Sequence, residues 1–386
     1  MIYQIPRLAP ADHAVLKLLH DQRSQLRYLV SQNPSRWTGF LRRTAFARAI
    51  QGSNSIEGYT ASVDQAVAIV DDEKPGTLDE ETVRALVGYR NALTYIVQIH
   101  ADPHFELSPQ FIRSLHFMMM SYDLEKMPGQ WRPSSIFVVH EPSGETVYEG
   151  PDAGLVSDLI DELVEQLAGA EGTDSYVLAA MAHLNLTMIH PFRDGNGRMA
   201  RALQTLVLSR NDILSPTFSS IEEWLGRNTQ AYYEILAKVG RGKWSPDSDA
   251  LPWVRFCLRA HYQQAATLAA RNREIAEVWD KVSLLLQRHS LPERAETALM
   301  DAAFGYRVTN NRYRSANQVS EVVAGRDLKR LTEAGLLVAH GEKRGRYYLA
   351  STTLRQLRSA SPRTGQAPDP YELVRTTHQP PLPGPD

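Results

Sequence analysis

Cysteine is nearly absent. Cys257 stands alone in 386 residues, so no internal disulfide can form, and a reducing cytoplasmic setting fits best. No apolar run approaches the ~20 residues needed to span a bilayer, which argues against a membrane partner. The opening stretch, MIYQIPRLAPADHAVLKLL, lacks the basic-then-apolar build of a signal peptide. Bulk charge is a formal −2, and by itself points to neither nucleic acid nor membrane. Common catalytic signatures are missing too. His183 and His190 lie seven apart with no His-Glu-x-x-His, there is no Gly-x-Ser-x-Gly, and VGRGKWS lacks the upstream glycine of a P-loop. The chain is 43% hydrophobic and 22% charged, which suits two or three globular domains.

The patterning is mainly α. Apolar positions recur at helical spacing in 11–32, in RRTAFARAIQGSNSIEG up to Gly58, and in DEETVRALVGYRNALTYIVQIH after Pro75-Gly76. SPQFIRSLHFMMMSY follows Pro103, and helical pattern resumes at 152–169, 174–190, 197–210, 221–239 and 252–288. One hairpin interrupts it: SSIFVVHEPSGETVYEG holds two β-prone runs around Pro142-Ser143-Gly144. Beyond 291 the texture turns to short helices and strands, and 359–386 is rich in proline.

HPFRDGNGRMAR, His190 to Arg201, concentrates the chemistry. Pro191 stops the long apolar helix DSYVLAAMAHLNLTMI, so His190 sits where a core helix meets a loop. Gly195-Asn196-Gly197 is a turn that can bare successive backbone N–H groups. The helix beginning RMARALQTLVL carries partial positive charge at its start, and Arg198 and Arg201 share one face of its first turn. Arginines there oppose the dipole unless an anion sits between them and the N–H groups. Asp194 beside such an anion suits Mg2+, which takes one or two carboxylates plus phosphate oxygens. The pattern asks for a polyphosphate with His190 as a base at its edge.

This stretch resembles the signature of the Fic (Fic/Doc, or fido) family, His-Pro-Phe-x-(Asp/Glu)-Gly-Asn-Gly-Arg-x-x-Arg, at every specified position. The resemblance spreads over about residues 107–260, where the hairpin looks like the family's flap. It implies transfer of AMP from ATP to a Ser, Thr or Tyr hydroxyl of a protein target, self-modification included. His190 would be the base, Asp194 the Mg2+ ligand, and Gly195, Asn196 and Gly197 the anion nest. Arg198 and Arg201 would grip the β- and γ-phosphates, with Phe192 as the buried anchor of the loop. NTQAYYEIL resembles the family's nucleotide-side helix, in which Tyr232 and Tyr233 would flank adenine; two aromatics on a helix equally suit the core. The flap would capture an extended target segment by strand addition.

SNSIEG, Ser53 to Gly58, resembles the family's inhibitory pattern (Ser/Thr)-x-x-x-Glu-(Gly/Asn). Ser53 and Glu57, four apart, share a helical face, and Gly58 is a helix stop. The resemblance implies that Glu57 pairs with Arg201, occupies the γ-phosphate position and silences the enzyme. It leaves open the reverse reaction, in which Glu57 orients water to remove AMP.

The C-terminal portion carries its own pattern. NQVSEVVAGRDLKRLTEAGLL followed by LVAHGEKRGRYYLA reads as helix, strand, basic turn, strand, and resembles a winged helix-turn-helix. Residues 305–348 hold nine Lys/Arg against four Asp/Glu, a local basic patch of the kind that binds nucleic acid. Winged helices also dock proteins, so 290–350 could bind DNA or a partner protein, and a DNA-binding regulator with a Fic sensor is the rival reading. The expected organisation is an N-terminal helical region (1–106) with an inhibitory helix at about 42–58, and a Fic catalytic domain (107–260). A linking helix (261–289), a winged-helix-like domain (290–350) and a largely disordered tail (351–386) follow. A homodimer stays open.

Overall fold

In the computed structural model, residues 1–31, 35–140, 144–210, 216–359 and 367–377 are described. The N-terminal part is α1 (Pro10–Ser31), α2 (Ser35–Ile56), α3 (Val63–Val70) and α4 (Glu80–Ile99), followed by α5 (Pro109–Met120). The hairpin β1 (Phe137–His140) and β2 (Glu145–Glu149) comes next, then α6 (Val156–Gly169), α7 (Ser175–Ile189) and α8 (Asn196–Arg210). Short α9 (Pro216–Ser219) and α10 (Glu222–Arg227) lead to α11 (Thr229–Gly240) and the 38-residue α12 (Leu251–Arg288). The C-terminal part is α13 (Glu296–Ala303), β3 (Val308–Thr309), α14 (Asn310–Asn317), α15 (Glu321–Glu333), β4 (Leu337–His340) and β5 (Tyr347–Ala350), then α16 (Thr352–Ser359) and α17 (Pro370–Thr377). The chain is mainly α, as its patterning predicts. No helix among the described residues is long and apolar enough to cross a membrane.

Helix starts follow local chemistry. Asp79 accepts from Thr82 N–H at 2.7 Å, and Ser108 accepts from Phe111 N–H at 3.2 Å with Pro109 behind it; each such cap contributes about 1 kcal/mol. Ser62 and Gln65 form a reciprocal capping box at the start of α3. That helix is absent from the sequence reading above, although Ser-x-x-Gln before an apolar run is its signal. The stretch read as one helix over 221–239 is two, broken at Asn228.

The centre is the pair α7 and α8. Thirteen of fifteen residues in each are buried, so neither has a solvent stripe and both must be wrapped by other helices. α2 crosses α10 closely, which brings the C-terminal end of α2 to the start of α8. The hairpin is antiparallel with a bulge between Val138 and Val139. Its turn residues 141–143 lie outside the described residues. Tyr148 anchors it, donating to the Met188 carbonyl at 2.7 Å. The far edge of β2 is held by Glu149 N–H to Gly242 O (3.0 Å) and Trp244 N–H to Glu149 O (2.9 Å).

The C-terminal part packs α13–α15 with a three-stranded antiparallel sheet in the order β3-β5-β4. It does not hang free. Arg312 contacts Asp301 and Asp71, both at 3.0 Å, and Arg43 of α2 reaches the same two carboxylates. Arg307 meets Asp64 at 3.2 Å, and Phe40 packs edge-on to Phe304 at 5.2 Å. The expected disordered tail does not describe 352–359 or 367–377, which are helical or anchored. The proline content of the segment masks its anchors: Tyr371 donates to Asp12 at 3.0 Å, Arg259 pairs with Asp369 at 2.6 Å, and Gln263 donates to Ala367 O at 2.7 Å.

Because Asp301 is buried between two arginines, Asp301→Ala is expected to leave both sharing Asp71 alone and to destabilise the chain by about 3 kcal/mol. Breaking the exposed Lys17–Asp21 pair by Lys17→Ala should change stability by under about 0.5 kcal/mol. Urea unfolding of the two variants checks both; equal midpoints would show that the buried cluster is dispensable.

Candidate active site

His190 ends α7 in the left-handed region, φ 51°, with its N–H bonded to Leu186 O at 3.0 Å. A non-glycine residue there is uncommon, so the loop after it must hold it. Asn196 does much of this work: Phe192 N–H donates to its Oδ1 at 2.9 Å, and its Nδ2 donates back to Phe192 O at 2.8 Å. Phe192 is fully buried and stacks on His116, ring centroids 3.7 Å apart. His116 accepts from Gly129 N–H at Nδ1, which leaves Nε2–H to donate to Asp194 O; both distances are 2.9 Å. Burial pushes the His116 pKa down to about 4, so the ring stays neutral in this role.

Arg132 locks the other side of the loop. Its N–H donates to Pro191 O and its Nε to His190 O, both at 2.9 Å, while the remaining guanidinium nitrogens bond Ser134 O and Pro151 O. One side chain thus ties the base of the hairpin to the His190 backbone. The sequence reading misses both His116 and Arg132. Neither lies in a motif, and their roles come from contacts 58 to 78 residues away along the chain.

The His190 ring is half-buried and its Nδ1 lies 3.1 Å from Thr187 O. A carbonyl can only accept, so Nδ1 carries the proton and Nε2 is left as the basic nitrogen. Burial lowers the His190 pKa below the usual value, Thr187 O acts against this, Arg132 adds to it, and Glu57 and Asp194 oppose it. Asp194 is half-exposed; its Oδ1 accepts from Gly195 N–H at 2.5 Å and its Oδ2 lies 3.5 Å from Lys126 Nζ.

Gly195 has φ 76°, the turn conformation that a side chain disfavours. α8 then starts at Asn196, and its first-turn N–H groups have no carbonyl four residues back to bond. Arg198 and Arg201 project from this turn, each no more than 2% exposed. Arg198 donates to Tyr122 OH at 3.2 Å and Met120 Sδ at 3.0 Å, with its guanidinium 5.4 Å over the Tyr59 ring. Arg201 donates from Nε to Ser53 Oγ at 2.8 Å and from Nη2 to Ser53 O (3.1 Å) and Glu57 Oε1 (2.5 Å). Arg198 Nε and Arg201 Nη1 are buried with no hydrogen-bond partner. An unmet buried donor costs about 1–3 kcal/mol, so both are ready for an anion. Glu57 Oε1 lies so close to Gly197 that a Cβ there would sit 2.5 Å from it; only glycine lets the carboxylate in.

The structure therefore brings His190, Asp194, Arg198, Arg201, Ser53, Glu57 and Gly197 together around one helix start. Tyr232 lies beneath the site, its hydroxyl facing Arg201. It is buried in the core with its hydroxyl 2.9 Å from His183 Nε2, whose Nδ1 faces Gln204. Tyr233 is half-exposed and donates to Ile56 O at 3.0 Å, capping the end of α2.

A family model described as Fic/DOC family matches residues 106–208, which include the hairpin and the whole loop just described. The chain carries a Fic domain. Among curated relatives, protein adenylyltransferase fic-1 of Caenorhabditis briggsae is 28% identical over 258 residues, 65% of this chain and 46% of that protein. Protein adenylyltransferase Fic of Nematostella vectensis is 26% identical over 258 residues, 66% of this chain and 56% of that protein. The chain spans about half the length of these relatives. In fold, it resembles a Fic family protein from Desulfovibrio desulfuricans G20 (TM-score 0.59, 21% identity, 91% of this chain and 99% of that one). It also resembles Fic-1 of Caenorhabditis elegans (TM-score 0.55, 23% identity, 68% and 73%). The hairpin packs its Tyr148 against the helix that delivers His190.

The His190 geometry has a spectroscopic consequence. Nitrogen-detected NMR of histidine-labelled protein should show His190 neutral at pH 7, protonated at Nδ1, and titrating below the ~6.5 of a free histidine. A His190 that is mostly imidazolium at pH 7, or protonated at Nε2 alone, would contradict it.

Proposed function

We propose that this chain is a protein adenylyltransferase that moves AMP from ATP to a hydroxyl side chain, and that Glu57 keeps it silent. The observation that carries the reading is the start of α8, where two buried arginines with unmet donors flank bare N–H groups beside a histidine with a free basic nitrogen. The activity named for the curated relatives supports it. In the reaction, His190 Nε2 takes the proton of the attacking hydroxyl while its oxygen bonds the α-phosphorus. The bond from that phosphorus to the bridging oxygen breaks, and diphosphate leaves. Base assistance of this kind is worth about 10²–10⁴-fold. The backbone donors of the Gly195, Asn196 and Gly197 nest would face the charge that develops, Gly195 N–H once Asp194 releases it, and Arg198 and Arg201 would hold the β- and γ-phosphates as planar forks.

Asp194 is the residue that would hold Mg2+. Among the described residues no group of three or more His, Cys, Asp or Glu side chains could hold a metal ion. The fit is therefore to an ion that takes one carboxylate and fills its shell with phosphate oxygens and water. Bound there, it would supply charge neutralisation of the phosphates; Lys126 would give up its contact with Asp194.

Glu57 occupies Arg201 Nη2 and overlies Gly197, so the γ-phosphate and Glu57 compete for one guanidinium. Glu57 and His190 stand at the same helix start, so removal of AMP by a Glu57-oriented water is the second reading. The basic excess of 305–348 supports DNA binding less than its count suggests, because Arg307 and Arg312 are engaged by Asp64, Asp71 and Asp301. We place 290–350 as a winged-helix-like module that docks on α2 and α3 and presents α15 to a partner. The lone buried Cys257 suits a reducing cytoplasm.

Labelling with α-labelled ATP tests this. Wild type should be nearly silent, Glu57→Gly should self-label at least tenfold faster, and Glu57→Gly with His190→Ala should lose about 10²–10⁴-fold. Arg201→Ala should not reproduce activation, since it removes the phosphate grip with the inhibitory pair. Wild-type labelling equal to Glu57→Gly would refute inhibition. Release of AMP from a modified protein by wild type, lost in Glu57→Gly, would favour the second reading.

A further inference from the structure

Arg201 has a second acid behind it that no motif marks. Glu222, at the start of α10, is 1% exposed. Its Oε1 accepts from Tyr89 OH at 3.1 Å and Thr205 Oγ1 at 3.2 Å, and its Oε2 from Ser220 Oγ. Tyr89 OH in turn meets the Ser53 hydroxyl, which accepts from Arg201 Nε at 2.8 Å. The polarity of the two end links is fixed. A guanidinium only donates, so Ser53 Oγ accepts from Arg201 and its own hydroxyl hydrogen is left to point at Tyr89 OH, whose hydrogen goes to Glu222. Only an acceptor can end such a chain.

We infer that Glu222 is a positioning residue: through Tyr89 and Ser53 it holds the Arg201 guanidinium oriented toward the terminal phosphate of ATP. The inference rests on the adenylyltransferase reading above. Glu57 is partly exposed and has to leave when nucleotide binds; Glu222 is sealed under α2, α4 and α8 and stays. Without it, Arg201 freed from Glu57 would have no acid behind it and could turn away.

The neighbouring carboxylate shows that this environment is specific. Glu223 faces the other way, into Arg48, Arg227 and Arg271 at 2.6–3.4 Å, and these hold its pKa down to about 2. The side-chain donors to Glu222 are all hydroxyls: Tyr89, Thr205 and Ser220. Burial pushes its pKa up to about 7, against the pull of its own backbone N–H, Tyr89, Arg201 and Thr205. Facing it are Tyr89 from α4, Ser53 from α2, Thr205 and Arg201 from α8, and Ser220 just before α10. Tyr89 is pushed well above its usual range by burial. Glu222 is thus the member of this set that changes charge near neutrality, being a carboxylate above about pH 7 and a neutral acid below it.

The experiment uses the full chain carrying Glu57→Gly and measures binding of ATP and of ADP, each with Mg2+, by calorimetry between pH 6 and 8. ADP lacks the terminal phosphate and serves as the internal control. At pH 8, adding Glu222→Gln should weaken ATP about tenfold, the scale of one charge-assisted hydrogen bond, and ADP by less than about twofold. Tyr89→Phe, which cuts the relay and leaves Glu222 in place, should do the same. Lowering the pH through 7 should weaken ATP in the parent more than in Glu222→Gln. Titration of ATP itself is common to both proteins and drops out of the comparison. Equal weakening of ATP and ADP, or superposable pH profiles for parent and variant, would overturn the proposal. Binding does not require transfer: a Glu57→Gly chain that binds ATP yet labels nothing refutes the adenylyltransferase reading, while the ATP-to-ADP ratio still decides the role of Glu222.

Discussion

A guanidinium with almost no water around it governs this protein. Arg201 is 2% exposed, and a buried cation without partners costs several kcal/mol. Every element near it supplies an acceptor: Ser53 and Glu57 from α2, and behind Ser53 the hydroxyl chain from α4 to Glu222. α2 is therefore placed by an electrostatic demand as well as by its apolar face. The same guanidinium keeps Nη1 without a hydrogen-bond partner, so the resting arrangement satisfies the charge without satisfying the geometry. A ligand with more oxygens than one carboxylate can do better, and this makes the pairing reversible.

The loop between α7 and α8 is rigid for separate reasons. His190 occupies a conformation a histidine does not favour, and it is held by Asn196, Phe192, His116 and Arg132 rather than by its own preference. Their bonds are to backbone atoms, so they set the path of the chain and leave the reacting side chains free. Arg132 joins loop and hairpin through one planar fork, which couples the surface where a target strand would lie to the nitrogen that would take its proton.

The C-terminal part illustrates how a charge count misleads. Residues 305–348 hold a basic excess, yet Arg307 and Arg312 meet carboxylates of the body, and Asp327 is buried against Arg294 and Tyr313. Charges matched across an internal interface contribute to docking and little to an external field. Arg43 brings α2 into the same cluster, so the helix that leads to Glu57 is held near its middle by the C-terminal part and at its end by Arg201.

How much could be read from the sequence divides along a physical line. Helix spacing, the stop at Pro191, the glycine turn and the loop that carries His190 to Arg201 are local: each is decided by residues within a turn or two of one another, so the chain alone determined them. The meeting of Ser53 and Glu57 with Arg201 was legible because SNSIEG resembles a known pattern and its two polar residues, four apart, share a helical face. The short helix α3 was missed although its cap was local, and the anchored tail was missed because Tyr371 reaches Asp12 across the whole length of the chain. Tyr232 and Tyr233 show the limit best. Their spacing allowed core or ligand, and only packing set one between His183 and Arg201 and the other at the end of α2. His116, Arg132 and Glu222 had no legible signal. Their roles depend on which backbone carbonyl or hydroxyl lies beside them, and tertiary structure alone decides that, because a hydrogen bond is a matter of tenths of an ångström between residues that sequence places far apart.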